Sequence, residues 1–225
     1  MAIFLDTGKM DEIKKYNEMG IIRGVTTNPT ILVKDGVTGG MKGVKDRSIE
    51  IAELIYPLPL SVEVTSNETE RMLDQAVEFS KWAENINVKI TIHGPNGELD
   101  NLKVINELEQ KRDVRINVTA MMSAQQCLLA AMAGASYVSI FGGRVNNMGY
   151  DSRDEISKLR FLLDDFNLKS KIIVGSTREV INVVEWLHSG AHIVTCTPKF
   201  IEGMIVHPYT KETVQMFLRD GKNFE

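Results

Sequence analysis

The run Ile86-Asn87-Val88-Lys89-Ile90, "INVKI", sets an amine into a segment otherwise built like a buried β-strand. Lysine is rarely buried without a partner. Lys89 either sits at a strand end and carries its ammonium to solvent on its alkyl stem, or is held in a pocket where its chemistry is used. Other chemistry-bearing residues fall at the ends of comparable apolar runs. Asp6 follows "IFL", Thr26, Thr27 and Asn28 follow "GV", and Glu63 lies in "SVEV". Asn117 and Thr119 lie in "RINVT", Ser139 in "YVSIF", and Ser176 after "KIIVG". Taken singly, each reads as a strand-end cap, a turn former or a solvated side chain. Asp6 as a helix cap and Asn28-Pro29 as a turn starter are ordinary examples.

Taken together, one amine, two carboxylates and several hydroxyls and amides suit a single reaction class. Burial disfavours the charged form of an amine, and a neutral lysine amine attacks a ketone to form a Schiff base. The protonated imine is an electron sink, so a neighbouring C–C bond can break or form. One carboxylate removes and returns a proton, and the other orients the water that mediates imine formation. This chemistry needs neither metal nor cofactor. The four histidines, His93, His188, His192 and His207, show neither H-E-x-x-H nor paired spacing, which argues against a zinc-dependent aldolase. Arg144 in "FGGR" and Arg178 in "GSTR" stand near the ends of two further strands. Singly they read as solvated loop residues. As a pair, with Ser176 and the backbone amides of the helix starting there, they would clamp a phosphate.

These residues need a scaffold that gathers strand ends. Short β-branched runs at 3–5, 24–26, 61–64, 86–90, 114–118, 137–140, 171–174 and 192–196 alternate with segments of helical period. In "TREVINVVEWLHSG", Val180, Val183, Val184 and Leu187 recur at helical spacing, with Gly190 as a stop. Ser123 and Gly134 bracket another helix as N-cap and C′ residue. Met72, Ala76, Phe79 and Ala83 form one stripe, and Ile156, Leu159, Leu163 and Phe166 a second. Eight such units predict a single α/β domain over 1–225, a closed (β/α)8 TIM barrel whose strand C-termini share one mouth. The open doubly wound sheet is the alternative, but "FLDTGKMDE" lacks its glycine-rich phosphate turn. The glycine-rich run at 36–43, "GVTGGMKG", lacks a P-loop ending and reads as a flexible surface loop.

Composition narrows the partners. With 26 basic against 30 acidic residues and a net charge of −4, nothing draws the chain generally to nucleic acid or an anionic membrane. An anion site must therefore be local. Cys127 and Cys196 are too few for a disulfide framework and form no C-x-x-C pair, which points to a reduced, cytoplasmic setting. The start "MAIFLDTGKMDE" turns acidic too early for a secretory signal, and no apolar run approaches the roughly 20 residues that span a bilayer.

In order along the chain, "FLDT", "GVTTNPT", "SVEV", "VKI", "NVT", "SIFGGR" and "GSTR", then "HPYTKETVQMFL", resemble the small transaldolases and their relatives, the fructose-6-phosphate aldolases. The resemblance spans nearly the whole chain, and "GVTTNPT" is its most specific piece. It implies an α/β barrel acting on sugar phosphates through a lysine Schiff base. Lys89 would be that lysine, Asp6 the acid/base on the substrate hydroxyl, and Glu63 and Thr119 the holders of the catalytic water. Asn28, Asn117 and Ser139 would bind the donor, with Thr26 close by, and Arg144, Ser176 and Arg178 the phosphate. Phe141 matches the aromatic beside the site.

Within the family, the aldolase branch tends to carry glutamine at Glu63, threonine at Asn117 and tyrosine at Phe141. The residues here are transaldolase-like at all three, which favours transfer of a dihydroxyacetone unit over its release. A tyrosine hydroxyl at Phe141 could protonate a bound enamine; phenylalanine cannot. The resemblance also implies a homo-oligomer, a ring of five or ten subunits; a C-terminal helix at about 210–220, with Val214, Phe217 and Leu218 apolar, could pack on a neighbour or, nearly as well, cap its own chain. The chain departs from the family at "KITIHGPNGELDNL", where the family has K-I-P and a shorter loop, a change that brings His93 toward the mouth. "SIFGGR" and "GSTREV" also replace the usual S-P-F-V-G-R and an Arg-Asn-Pro motif.

Overall fold

A computed structural model describes residues 2–224. The chain runs β1 (Ile3–Asp6), α1 (Met10–Glu18), β2 (Val25–Thr26), α2 (Pro29–Lys34), α3 (Gly40–Ile55), β3 (Leu60–Glu63), α4 (Thr69–Ser80), β4 (Ile86–Thr91), α5 (Asn101–Lys111) and β5 (Ile116–Met121). It continues through α6 (Ala124–Met132), β6 (Tyr137–Ile140), α7 (Gly142–Asn147), α8 (Ser152–Asp165), β7 (Lys171–Val174), α9 (Val180–His188), β8 (Ile193–Cys196), α10 (Pro198–Ile205) and α11 (Pro208–Gly221). The strands pair in sequence order, all parallel, and β1 closes on β8 through Ile3↔Val194 and Leu5↔Cys196. The sheet is a closed (β/α)8 barrel, and the open-sheet alternative falls. Among the described residues, no helix is long and apolar enough to cross a membrane.

Two apolar cores follow from the alternation of strand side chains. Outward residues such as Leu5, Val62, Val88, Ile90 and Val118 join the helices in one large buried cluster. Inward, Phe4, Tyr137, Ile173 and Ile193 form a small cluster of their own, a floor inside the barrel beneath its polar mouth. Gly24, at the head of "GVTTNPT", is explained by that floor. A Cβ there would lie 2.7–2.8 Å from three atoms of the Phe4 ring, which is wholly buried.

Several local expectations hold and others shift. Asn28 caps α2 by accepting from Ile31 N at 2.9 Å, with Pro29 in the first turn, and Ser123 caps α6. The run at 36–43 is not a loop throughout. Gly39 and Gly40 turn the chain with positive φ, and Gly40 starts a 16-residue helix. Gly43 has no room for a side chain, because a Cβ would fall 1.7 Å from Thr38 O. The glycines serve a tight helix entry rather than mobility. The fifth strand lies at Ile116–Met121, later than 114–118. In α9 the buried stripe is rotated from the expected one. Val183 and Trp186 are buried whereas Val184 is 65% exposed. Trp186 sets that rotation, donating its indole N–H to Ser152 Oγ at 2.7 Å and packing against Gly142. Phe166, expected on the buried stripe of α8, lies just past its end and is exposed.

Gly24→Ala should force the Phe4 ring or β2 to move, an overpacking that costs about 1–3 kcal/mol. Thermal unfolding should show a Tm lowered by roughly 2–4 °C per kcal/mol for a chain of this size, with part of the loss recovered by adding Phe4→Leu. An unchanged Tm would mean that the floor has slack at this point.

Candidate active site

The C-terminal ends of the strands surround a cavity of about 180 Å³, smaller than the roughly 300–1,000 Å³ of sites that enclose drug-sized ligands. Of the twelve residues given site roles in the sequence, all but Glu63 line it. Glu63 is outside the lining but pairs with Lys89, which is part of it. Strand register explains the pairing, because Glu63 and Lys89 are direct partners across β3 and β4. Lys89 is only 5% exposed. Its Nζ lies 3.0 Å from Glu63 Oε2 and donates to Thr27 O at 2.9 Å. The lysine therefore does not snorkel. Its charge is kept inside by a carboxylate and a carbonyl on neighbouring strands.

Asp6 faces the same cavity from β1. Its register partner Thr26 donates Oγ1–H to Asp6 Oδ1 at 2.6 Å. Because that proton is committed, the 2.6 Å contact between Thr26 and Thr195 has Thr195 as donor. Asp6 is thus the end of a hydroxyl chain running from β8 through β2. Its residue surface is only half-buried, yet the carboxyl is hemmed in by the wall, and burial raises its pKa above the usual carboxylate value. The Thr26 hydrogen bond and the Lys89 charge oppose that rise, and Asp35 and Glu63 add to it. Cys196 is pushed up to about 12 by burial, with Asp6 adding, so its thiol stays protonated.

On the other side, Asn117 is fully buried. It donates Nδ2 to Ser61 Oγ at 3.1 Å and accepts from Ser139 Oγ at 2.6 Å. That orients the amide and ties β3, β5 and β6 together. Thr119 Oγ1 is buried, faces the cavity and has no hydrogen-bond partner among the described residues. A register shift between Val118 and Met121, with Ala120 at φ +60°, follows directly after Thr119. Bulges of this kind re-aim a side chain at a barrel rim. Asn28 serves twice, capping α2 and lining the cavity.

Arg144 and Arg178 approach the mouth from α7 and from the loop before α9. The Arg144 guanidinium lies 5.4 Å from the Phe141 ring centroid. Neither arginine has a carboxylate within ion-pair distance among the described residues, although five other arginines do. Between them Ser176 adopts φ +62°, a left-handed conformation unusual for a side-chain-bearing residue. Gly143 permits it, since a Cβ there would lie 1.8 Å from Ser176 O. Two amides just before α9 are engaged within the chain. Asn182 Oδ1 accepts from Arg178 N and Glu179 N at 3.2 and 2.9 Å, and Glu179 completes a capping box.

Sequence reasoning missed Thr195, Gly175 and Ile173, which also line the cavity. The first and last were accessible from alternation, as inward positions of β8 and β7. His93 is exposed and does not line the cavity. Its loop folds on itself through Gly94 N to Glu98 O at 3.0 Å and Asn96 N to Glu98 Oε2 at 2.9 Å. Buried Asn101 ties that loop to Thr91 O at 2.9 Å.

Residues 3–224 match the family model described as transaldolase/fructose-6-phosphate aldolase. A protein of Carboxydothermus hydrogenoformans named "Probable transaldolase" is 39% identical over 220 residues, covering 98% of this chain and 97% of the relative. "Probable transaldolase 2" of Listeria monocytogenes is 36% identical over 224 residues, covering 100% of this chain and 97% of the relative. Among solved structures, a putative deoxyribose-phosphate aldolase from Coccidioides immitis superposes with a TM-score of 0.63 at 13% identity, over 92% of this chain and 85% of that one. At that identity the likeness concerns the barrel alone.

The raised pKa of Asp6 has a thermodynamic consequence. The folded chain holds the Asp6 proton more tightly than the unfolded chain does. Its contribution to stability is complete below the unfolded value of 3.8 and is lost as pH rises through the higher folded value. At neutral pH the ionised carboxyl is therefore a net cost. Asp6→Asn keeps an oxygen for Thr26 and should raise Tm at pH 7, with the advantage vanishing toward pH 3. A lower Tm at pH 7 would show that the carboxylate is stabilising in place.

Proposed function

The chain belongs to the transaldolase/fructose-6-phosphate aldolase family, and from that premise we propose that it is a transaldolase of the pentose phosphate type. It moves a dihydroxyacetone unit from a ketose phosphate to an aldose phosphate through a Schiff base on Lys89. The observation that carries this reading is the lysine itself, sealed in the barrel, with Glu63 at 3.0 Å to take its proton and the buried carboxyl of Asp6 on the same cavity.

Lys89 passes a proton toward Glu63 and attacks the ketose C2. The carbinolamine loses its hydroxyl as water, with Glu63 and Thr119 holding that water. Thr119 Oγ1, without a hydrogen-bond partner among the described residues, is free for it. Asp6 as carboxylate takes the proton of the C4 hydroxyl, the C3–C4 bond breaks, and its electrons enter the iminium to give an enamine. The first aldose phosphate leaves. The enamine attacks the aldehyde of the second, Asp6 returns the proton to the new alkoxide, and water releases the ketose from Lys89. Burial raises the proton affinity of Asp6, which makes it a stronger base for this step. Asn28, Asn117 and Ser139 bind the donor hydroxyls, with Thr26 setting the Asp6 carboxyl. Arg144, Ser176 and Arg178 hold the phosphate. Phe141 offers no hydroxyl to protonate the enamine, which supports transfer over release of free dihydroxyacetone.

Fructose 6-phosphate should turn over only when an aldose phosphate acceptor is added. Steady release of dihydroxyacetone without acceptor would make the protein an aldolase instead. Asp6→Asn should lower kcat by roughly 10²–10⁴-fold while the fold persists. We also read the protein as a cytoplasmic homo-oligomer. Helix α11 buries no residue, and its Phe217 and Leu218 are 63% and 68% exposed; a second copy would cover them. Light scattering should give a mass of five or ten chains, reduced by Phe217→Glu; a monomer at micromolar concentration would refute this part.

A further inference from the structure

Asp6 begins the loop Thr7-Gly8-Lys9 that leads from β1 into α1. That loop is gripped from both sides at one residue. Asp35 Oδ2 accepts from Gly8 N at 2.7 Å, and Arg47 Nη1 donates to Gly8 O at 2.7 Å. Thr7 Oγ1 lies 2.5 Å from Glu12 Oε2 and 3.3 Å from Asp35 Oδ2. With one proton to give, it binds Glu12 and leaves Asp35 committed to the Gly8 peptide. Gly8 permits the approach, since a Cβ there would stand 3.0 Å from Leu32 Cδ2 and 3.4 Å from Asp35 Oδ2. Asp35 has no cation within ion-pair distance among the described residues, although Glu12 has Lys9 and Glu50 has Arg47. It is a carboxylate spent on a peptide N–H beside the loop of a second carboxylate.

The helix that carries Asp35 adds to the case. Residue Asn28 caps the start of α2 and lines the cavity, while Asp35 is the C-cap of the same helix, its N–H bonded to Ile31 O at 2.8 Å. One short rigid element thus reaches the site at its first end and the Asp6 loop at its last. The groups facing Asp6 from the packed elements are Thr26, Lys89, Glu63, Asp35 and, across β8, Cys196. Thr26 and Lys89 favour the carboxylate. Asp35 and Glu63 oppose it, and Glu63 is paired with Lys89.

We propose that Asp35 is a positioning residue for Asp6: it fixes the Gly8 peptide two residues on, and that peptide aims the Asp6 carboxyl. The catalytic side of this inference rests on the reading of Asp6 as the proton-transfer group. The contact does not.

Two variants separate the effects. Asp35→Asn keeps an oxygen for the Gly8 N–H and removes the charge, and Asp35→Ala removes both. The first readout is the titration midpoint of Asp6 in the resting protein without substrate, from carboxyl 13C signals of aspartate-labelled protein, with Asp6→Asn identifying the peak. In Asp35→Ala that midpoint should move by a few tenths of a pH unit or more, because a displaced carboxyl loses its fixed approach to Thr26 and the Lys89 charge, and the acidic limb of kcat/KM should move with it. Asp35→Ala should lose roughly tenfold or more in kcat while Asp35→Asn stays within about threefold, as expected for misplacement of a reacting group. An Asp6 midpoint unmoved in Asp35→Ala overturns the inference, even if that variant loses activity, since that pattern marks a purely structural contact. Because the midpoint is read without turnover, it decides the role of Asp35 even if acceptor-dependent transfer fails.

Discussion

Three ionisable groups must stay inside a parallel barrel, and the arrangement of the mouth follows from how they are tolerated. An ammonium in a low-dielectric interior is costly unless a charge and hydrogen bonds meet it. Here the partner comes from register. Glu63 sits directly across from Lys89, and Thr27 O supplies a second acceptor. The pair is neutral as a unit, so the strands bear it without an outward channel. Asp6 has no such dedicated partner. It shares the Lys89 field, takes one hydroxyl, and otherwise remains a frustrated carboxyl. The asymmetry divides the labour, since one carboxylate is matched to the lysine and the other is left eager for a proton.

The opposite device operates around Arg144 and Arg178, at the end of the site proposed to hold the phosphate. Among the described residues, Arg144 and Arg178 stand without carboxylate partners at the rim, where water can solvate them, and a strained Ser176 is held between their segments. Strain of this type persists only where surrounding packing over-determines it. The close approach of Gly143 to Ser176 O, and of Gly142 to Trp186, provides that packing. The capping box of α9 takes up the Glu179 and Asn182 amides within the helix start itself.

Much of this was legible in the sequence because parallel barrels write themselves as repeated β-branched runs ending in polar residues. Lys89, Asp6, Asn117 and Ser139 could be placed by counting inward positions from strand ends. What escaped depends on tertiary contact. Thr195 looks like any strand threonine until Thr26 is found 2.6 Å away. The glycines of 36–43 resemble a flexible loop until Thr38 O is seen to close on Gly43. The rotation of α9 hangs on one indole N–H finding Ser152, which no periodicity within the helix encodes. Asp35 gave no signal at all, because its partner is a backbone amide 27 residues away.

The central claim is that the sealed amine of Lys89 is the nucleophile. Borohydride reduction of the protein with a ketose phosphate, followed by peptide mass mapping, tests it directly. The account predicts one stable ketose-derived adduct on the peptide containing Lys89, absent in Lys89→Met. An adduct on any other lysine, or none with any ketose phosphate, would contradict it.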